Sequence, residues 1–210
     1  MKTLFSWMIA ALVPFTMAQA NDDELYDPAP PADSAFVRVI HAASAMDKVS
    51  ATVGGITYGE LSYPALSNYR IVKGGQHKAT VGTVSQELTI DAGGYFTIAL
   101  NDAGEVKLIK DELLSNPAKA RVYFYNFSDA AQGSLFAAEH GAAILDKVNA
   151  NEGGSREVNA LKLALQAKAG EAVVQEFKGV QLKRRVGTSF LVTGKAGAYK
   201  ALMLENEVER

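Results

Sequence analysis

The chain has 210 residues, 48% of them hydrophobic, and a formal net charge of −2 at pH 7. The near-neutral charge argues against the basic surface that nucleic acid or an anionic membrane requires. The length and hydrophobic content fit one large or two small domains with real cores. The sequence has no cysteine, so we expect no disulfide and no lipoprotein anchor, which needs a cysteine at the cleavage site.

Residues 1–20 have the three parts of a secretory signal peptide. Lys2 supplies the positive start, residues 4–13 form an apolar run that Pro14 interrupts, and Ala18-Gln19-Ala20 is a small-x-small cleavage site. The apolar run is shorter than the roughly 20 residues that a spanning helix needs, although an uncleaved anchor is the alternative. The sequence therefore predicts a periplasmic protein, with a mature chain that begins at Asn21 and has no transmembrane segment.

Residues 21–33 are predicted to form an extended, proline-rich arm. They are acidic at the start and contain Pro28, Pro30 and Pro31. Proline fixes φ and lacks a backbone N–H, which disfavours a helix and favours an extended chain. Tyr26 is one of two sizeable apolar residues in the arm, and a rigid extended segment loses little entropy when it binds a partner.

Residues 34–110 are predicted to form a first small β-sandwich or barrel. Short segments rich in β-branched and aromatic residues recur at 35–41, 49–53, 56–58, 69–72, 77–81, 95–100 and 106–109. This composition is typical of strands. Glycine pairs at 54–55, 74–75 and 93–94 separate several of them and predict strand–turn–strand units. The spacing favours an all-β fold.

Residues 119–210 repeat this order after a polar linker at 111–118. Residues 120–126 resemble 35–41 in pattern, and residues 187–193 resemble 94–100. We therefore predict an all-β protein with two tandem small antiparallel β-sandwich domains, a diverged duplication. Residues 131–148 are alanine-rich, and we favour strand–loop–strand over a helix because Gly133 and Gly141 interrupt them. The charged tail 205–210 is expected to fray.

The sequence offers few parts for catalysis. Its three histidines, His41, His77 and His140, have no second ligand at metal-site spacing, so no metal site is predicted. There is no G-x-S-x-G element and no glycine-rich phosphate loop, so no catalytic residue and no cofactor is predicted.

Two polar clusters stand out in the second half. Arg156, Glu157 and Asn159 form the densest one and follow Gly153-Gly154, which predicts a turn. Either a solvated strand entry or a binding site would account for this cluster. The basic run at 183–185 is expected to be a solvated loop before a strand.

Three motifs in this chain match the pattern of a known family. Residues 25–39, LYDPAPPADSAFVRV, contain Leu-Tyr-x-Pro, a proline and then Ser-Ala-Phe-Val-Arg-Val. Residues 154–159 have the pattern Gly-x-Arg-Glu-hydrophobic-Asn, and residues 190–194 have an aliphatic-Val-Thr-Gly pattern. These motifs resemble the mature start, a late stretch and the closing strand of the AlgF family of periplasmic alginate O-acetylation factors. The chain has Ala160 where the family has proline, and residues 129–150 match poorly.

The resemblance implies a non-catalytic adaptor built from two β-sandwiches. Such an adaptor would work with periplasmic acetyltransferase proteins and a membrane acyl-transfer protein to O-acetylate an exopolysaccharide, alginate or a similar polymer, during export. On this reading Tyr26, Arg156, Glu157 and Asn159 are the expected partner-binding residues.

Two other functions stay open at this point. A carbohydrate-binding module would contact the polymer through exposed tyrosines such as Tyr63, Tyr69 and Tyr123. An O-acetyltransferase or esterase would need catalytic parts that the sequence lacks.

We expect signal peptidase to cleave after Ala20, because a small-x-small site follows an apolar core broken by Pro14. N-terminal sequencing of the exported protein should therefore begin at Asn21. A membrane-bound precursor that retains residues 1–20 would contradict this expectation.

Overall fold

A computed structural model describes residues 29–209. The predicted signal peptide, its cleavage site and most of the arm, including Tyr26, lie outside the described residues. All regular secondary-structure elements among residues 29–209 are β-strands. No helix in this range is long and apolar enough to cross a membrane.

The first half contains nine strands. In chain order they are β1 (Ser34–His41), β2 (Lys48–Val53), β3 (Ile56–Ser62), β4 (Ala65–Leu66), β5 (Tyr69–Lys73), β6 (Gly75–Val81), β7 (Val84–Ile90), β8 (Tyr95–Leu100) and β9 (Val106–Asp111).

The second half contains the other nine. They are β10 (Lys119–Ser128), β11 (Gln132–Ala137), β12 (Ala143–Asn149), β13 (Glu152–Asn159), β14 (Lys162–Ala169), β15 (Ala172–Gln181), β16 (Gly187–Gly194), β17 (Lys200–Glu205) and β18 (Val208–Glu209).

The two halves have the same strand order, as a duplication requires. In the first half one sheet has the order β5-β1-β8-β9 and the other β3-β2-β6-β7. In the second half the corresponding orders are β13-β10-β16-β17 and β12-β11-β14-β15. Two tandem β-sandwiches are therefore confirmed, and so is strand–loop–strand for residues 131–148.

The strands of the four sheets pair antiparallel except in three pairs. β1 pairs with β8 in parallel, and β10 pairs with β16 in the same way. β18 also pairs in parallel, with β5, at the edge of the first half's sheet. The tail therefore crosses from one half to the other and does not fray as expected.

The glycine pairs do not all form hairpin turns. Gly54-Gly55 joins β2 to β3 as a hairpin, with positive φ at both residues (55° and 86°), which is the hairpin geometry that glycine favours. The pairs at 74–75 and 93–94 instead connect strands of different sheets. A Cβ on Gly74 would lie 2.9 Å from the backbone nitrogen of Ala92, so these two corners need glycine because they pack closely.

Gly153-Gly154 was predicted to be a turn, and this prediction is wrong. Both glycines lie within β13, opposite Tyr125 and Phe124 of β10. A Cβ on Gly153 would lie 2.6 Å from Cδ1 of Tyr125. The glycine is therefore explained by a close approach between strand and ring.

Each half has its own core between its two sheets, formed by inward-facing residues such as Val37 and Ile98 in the first and Val122 and Phe190 in the second. A third apolar cluster joins the halves. It contains Ile40, Ala42, Ala99, Tyr123, Tyr125, Phe127 and Leu191. Residues 31–210 accordingly form one compact unit, and we call the surface between its halves the seam.

The seam explains the burial of the central strands. β1, β8, β10 and β16 are buried at nearly every position, because one face meets its own core and the other meets the opposite half. Strands buried on both faces are typical of parallel pairing.

The predicted linker 111–118 begins inside β9, since Asp111 is the last residue of that strand. The linker is irregular from residue 112 onward.

Candidate functional site

A fully buried arginine lies in the seam. Arg38 is the middle of β1, and its alternation places Val37 and Val39 in the first core and Arg38 on the opposite face. The side chain has 0% exposure. A buried charge is costly unless hydrogen bonds and an opposite charge compensate it, so the surroundings of Arg38 decide whether the seam is stable.

Residues of both halves accept hydrogen bonds from the Arg38 guanidinium. Nε donates to Thr97 Oγ1 at 2.9 Å, and Nη2 donates to the Tyr125 hydroxyl at 2.5 Å. Nη1 donates to Ser189 Oγ at 2.8 Å and to Asn206 Oδ1 at 2.9 Å. Thr97 belongs to the first half, whereas Tyr125, Ser189 and Asn206 belong to the second. The arginine therefore links the two sandwiches directly.

Asp111 supplies the opposite charge. Its Oδ2 lies 3.9 Å from Nη2 of Arg38 and accepts hydrogen bonds from Tyr69 (2.8 Å) and Thr97 (2.6 Å). Its Oδ1 accepts a hydrogen bond from the Tyr125 hydroxyl. Thr97 and Tyr125 thus each accept a hydrogen bond from the guanidinium and donate one to the carboxylate. These bonds extend the ion pair into a connected network.

Aromatic rings complete the environment of the guanidinium. Its central carbon lies 4.4 Å from the ring centroid of Tyr69 and 5.2 Å from that of Tyr125, within the range of cation–π attraction. Burial raises the pKa of both phenols and, with the nearby Asp111 carboxylate, raises the pKa of Tyr123 to about 12. The phenols therefore stay neutral at physiological pH and act as hydrogen-bonding groups in the network.

These tyrosines do not form the exposed platform that a carbohydrate-binding module would need. Tyr69 and Tyr123 are only 2% and 6% exposed, and both side chains serve the seam. Tyr63 is half-buried, with Nζ of Lys200 4.8 Å from its ring centroid. The expectation of exposed tyrosines at 69 and 123 is therefore wrong.

A second arginine fixes the linker beside the seam. Nη1 of Arg121 donates to Glu112 Oε2 and to Ser155 Oγ, both at 2.9 Å. Nη2 donates to Glu157 Oε1 at 3.0 Å and to the carbonyl of Leu113. The side chain is 8% exposed, and its Nε is buried without a hydrogen-bond partner among the described residues.

Glu157 also holds the linker directly. Its Oε1 accepts hydrogen bonds from the Ser115 backbone N–H (2.5 Å) and hydroxyl (2.9 Å), and from the Asn116 N–H at 3.3 Å. These bonds to Ser115 lower the pKa of Glu157, and the bond to Asn116 and the charge of Arg121 lower it further. Glu157 therefore has a structural task in the fold.

The predicted partner-binding cluster is divided by the geometry of β13. Arg156 points away from Glu157, as alternation along a strand requires, and its Nη1 donates to the carbonyls of Ala143 (3.0 Å) and Ile144 (3.3 Å). Asn159 accepts a hydrogen bond from Nζ of Lys119 at 2.6 Å. The structure thus does not bring Arg156 and Glu157 to one surface.

A groove opens where the seam reaches the surface, and we call it the seam groove. It has a volume of about 490 Å³. It is lined by Tyr69 and Tyr95 from the first half, by residues 113–115 and 117 from the linker, and by Arg121, Tyr123 and residues 185–187 and 206–208 from the second half. Sequence reasoning missed this site because its walls are distant in the chain.

The three histidines lie away from the seam groove and have other neighbours. Nε2 of His41 lies 2.9 Å from the carbonyl of Met46, and Nε2 of His77 lies 2.5 Å from that of Lys73. His140 is exposed beside Glu139. Within residues 29–209 no group of three or more histidine, aspartate or glutamate residues could hold a metal ion.

We expect Glu157→Gln to remove part of the acid sensitivity of the fold. The folded-state pKa of Glu157 lies below the ordinary 4.5, so its stabilising contribution is present above pH 4.5 and is lost as pH falls through the folded pKa. The melting temperature of the variant should therefore lie below that of the wild type at pH 7, and the difference should shrink below pH 4.5.

Glu171→Gln is the matched control for this measurement, because Glu171 is exposed in the turn between β14 and β15. Its melting temperature should follow the wild type at every pH. If the melting temperatures of Glu157→Gln and the wild type differ by the same amount down to pH 2, the structural role of the carboxylate is contradicted.

Comparison with known proteins assigns the chain to a family. Residues 9–188 match the family model described as "Alginate O-acetyl transferase AlgF". The chain is similar to alginate biosynthesis protein AlgF of Pseudomonas fluorescens, with 31% identity over 91% of this chain and 87% of the relative. It is also similar to AlgF of Pseudomonas putida, with 32% identity over 89% and 86%.

Two solved structures are also similar. The C-terminal domain of AlgF from P. aeruginosa matches with 27% identity, covering 42% of this chain and 99% of that one, at a TM-score of 0.39. The N-terminal domain matches with 25% identity, covering 40% and 100%, at a TM-score of 0.34. With a family model that spans most of its length, this chain belongs to the AlgF family.

Proposed function

We propose that this protein is a non-catalytic adaptor in a periplasmic complex that O-acetylates an exopolysaccharide, alginate or a similar polymer, during export. Its partners in this proposal are periplasmic acetyltransferase proteins and a membrane acyl-transfer protein of the same pathway. Membership of the AlgF family, whose relatives are named alginate biosynthesis proteins, supports the pathway. The family model's description names an acetyltransferase, so the choice between catalyst and adaptor depends on the chemistry of the site.

The observation that carries the proposal is the burial of the seam network, the hydrogen-bonded side chains around Arg38 and Asp111. Arg38 and Asp111 are 0% and 6% exposed, and they are hydrogen-bonded to side chains of both halves. A catalytic group must reach the reacting atoms, whereas these groups are enclosed between two sheets. Their geometry suits a structural task, which is to hold two sandwiches as one rigid body.

Two serine hydroxyls beside the linker, those of Ser115 and Ser155, are bonded to carboxylates that already have another task. A serine nucleophile needs a base within hydrogen-bond distance, which a third group orients. Ser115 donates to Glu157, and Ser155 donates to Glu112 at 2.9 Å. Both carboxylates already accept hydrogen bonds from Arg121, so they are engaged in holding the linker. This arrangement favours an adaptor.

A test of the proposal separates catalysis from assembly. In a strain lacking the gene, the wild-type chain should restore the acetyl content of the polymer, and a tagged chain should co-purify with an acetyltransferase of the pathway. The purified chain should release no acetate from p-nitrophenyl acetate beyond a heat-denatured sample. His77→Ala and His140→Ala should restore acetylation as well as the wild type, because neither the half-buried His77 imidazole nor the exposed His140 imidazole is used.

Two results would contradict the proposal. One is transfer of acetyl groups by the purified chain alone, with loss of transfer in either histidine variant. The other is full restoration of acetylation by a chain that co-purifies with none of the pathway's proteins.

A further inference from the structure

We propose that the seam groove binds an extended segment of a protein partner, and that this segment places an aliphatic side chain and one carboxylate in the groove. The proposal rests on the adaptor function and names the surface that performs it. The volume of about 490 Å³ falls in the range of about 300–1,000 Å³ typical of ligand sites, which are frequent at domain interfaces. Both halves and the linker supply its walls, so it exists only when the seam is closed.

The rim of the groove is apolar and exposed. Leu113 is 52% exposed and Val208 is 40% exposed, and they are two of the five large hydrophobic residues that are exposed among residues 29–209. Leu114, Pro117 and Val186 line the groove beside them. Scattered exposed aliphatics need no explanation, but a concave site lined by several of them is typical of a contact surface.

An unpaired cation stands in the same groove. Arg185 lines it, is exposed, and makes no ion pair with any described residue. Its φ is 63°, a backbone conformation that favours glycine or asparagine, so the turn itself does not account for an arginine. A guanidinium binds a carboxylate through two parallel hydrogen bonds, which gives the occupant its charge.

The other polar groups limit the occupant to a single carboxylate. Asn206 uses its Oδ1 for Arg38 and Ser189, and its Nδ2 has no partner among the described residues. Glu207 is the one carboxylate among the lining residues and would repel a strongly acidic chain. A segment with one acidic residue next to an aliphatic one fits both features.

A peptide fits the groove better than a saccharide does. Sugar rings bind by stacking on exposed aromatic faces, whereas Tyr69 and Tyr123 are almost fully buried. The partly exposed Tyr95 already stacks on Phe36, with 4.4 Å between the ring centroids. One wall is the extended tail at 206–208, and β18 is the edge strand of its sheet. The free edge of a strand can pair with an added extended chain, which a polysaccharide cannot do.

Cross-linking identifies the occupant in the full chain. A photoreactive p-benzoylphenylalanine replaces Leu113 in the producing cell, and the matched control carries it at Leu161, which is 42% exposed and lies outside the groove. We expect position 113 alone to cross-link to a pathway protein, within an extended segment that contains an aliphatic and an acidic residue.

The cross-linked segment is then synthesised and titrated against the purified chain. Arg185→Asn keeps a residue that tolerates positive φ, and Leu113→Ser removes the aliphatic rim. Each should weaken binding about tenfold, the effect of one good interface contact. The controls Arg184→Asn and Leu161→Ser, on exposed residues outside the groove, should bind the peptide within twofold of the wild type.

The outcomes separate this proposal from the adaptor function. If the chain co-purifies with the pathway's proteins but position 113 gives no cross-link, or the groove variants bind like the controls, the groove assignment is wrong and the adaptor function stands. If a uronate oligosaccharide binds the wild type and loses affinity in Arg185→Asn, the occupant is the polymer. If no pathway protein co-purifies, the adaptor function fails with it.

Discussion

The need to neutralise one buried guanidinium shapes the centre of this molecule. Arg38 lies between two sheets with no exposed surface, where an uncompensated charge costs several kcal/mol. It is stabilised because Thr97 and Asp111 from its own half, and Tyr125, Ser189 and Asn206 from the other, converge on it. The apolar residues of the seam favour contact between the sheets, and the network around Arg38 adds directional hydrogen bonds that favour one relative arrangement.

That arrangement gives the surface its functional features. With the halves fixed, β18 pairs with β5 of the first half, and the tail becomes a wall of the seam groove. Arg121 and Glu157 hold the linker, which supplies another wall. The two copies of one fold thus form a site that neither copy has alone. A preorganised surface loses less entropy on binding, which would favour the proposed adaptor role.

Local sequence patterns were sufficient to predict the class of the fold. Alternation and β-branched runs predict most strands, Gly54-Gly55 predicts its hairpin, and the repeated order predicts the duplication. The same patterns failed at Gly153-Gly154 and at the buried tyrosines, for one physical reason. A strand's alternation tells which residues share a face, but it does not tell whether a second sheet covers the outer face.

One pattern in the sequence could have predicted the seam. A single arginine within the apolar run Phe36–Ile40, and unbroken apolar residues at 122–125 in the second half, are typical of strands that are buried on both faces. The partners of that arginine could not be found in this way, because Asp111, Tyr125 and Asn206 are 73 or more positions away in the chain. Only the folded structure brings them together.

The central claim is that Arg38 couples the two halves, and a double-mutant cycle across the seam measures this coupling. The free energy of unfolding is determined by denaturant titration for the wild type, Arg38→Met, Tyr125→Phe and the double variant. We predict that Arg38→Met alone costs about 3–5 kcal/mol, and that the double variant costs at least about 1 kcal/mol less than the sum of the single costs. Costs that add within about 0.5 kcal/mol would contradict the claim, because the guanidinium and the phenol would then act independently.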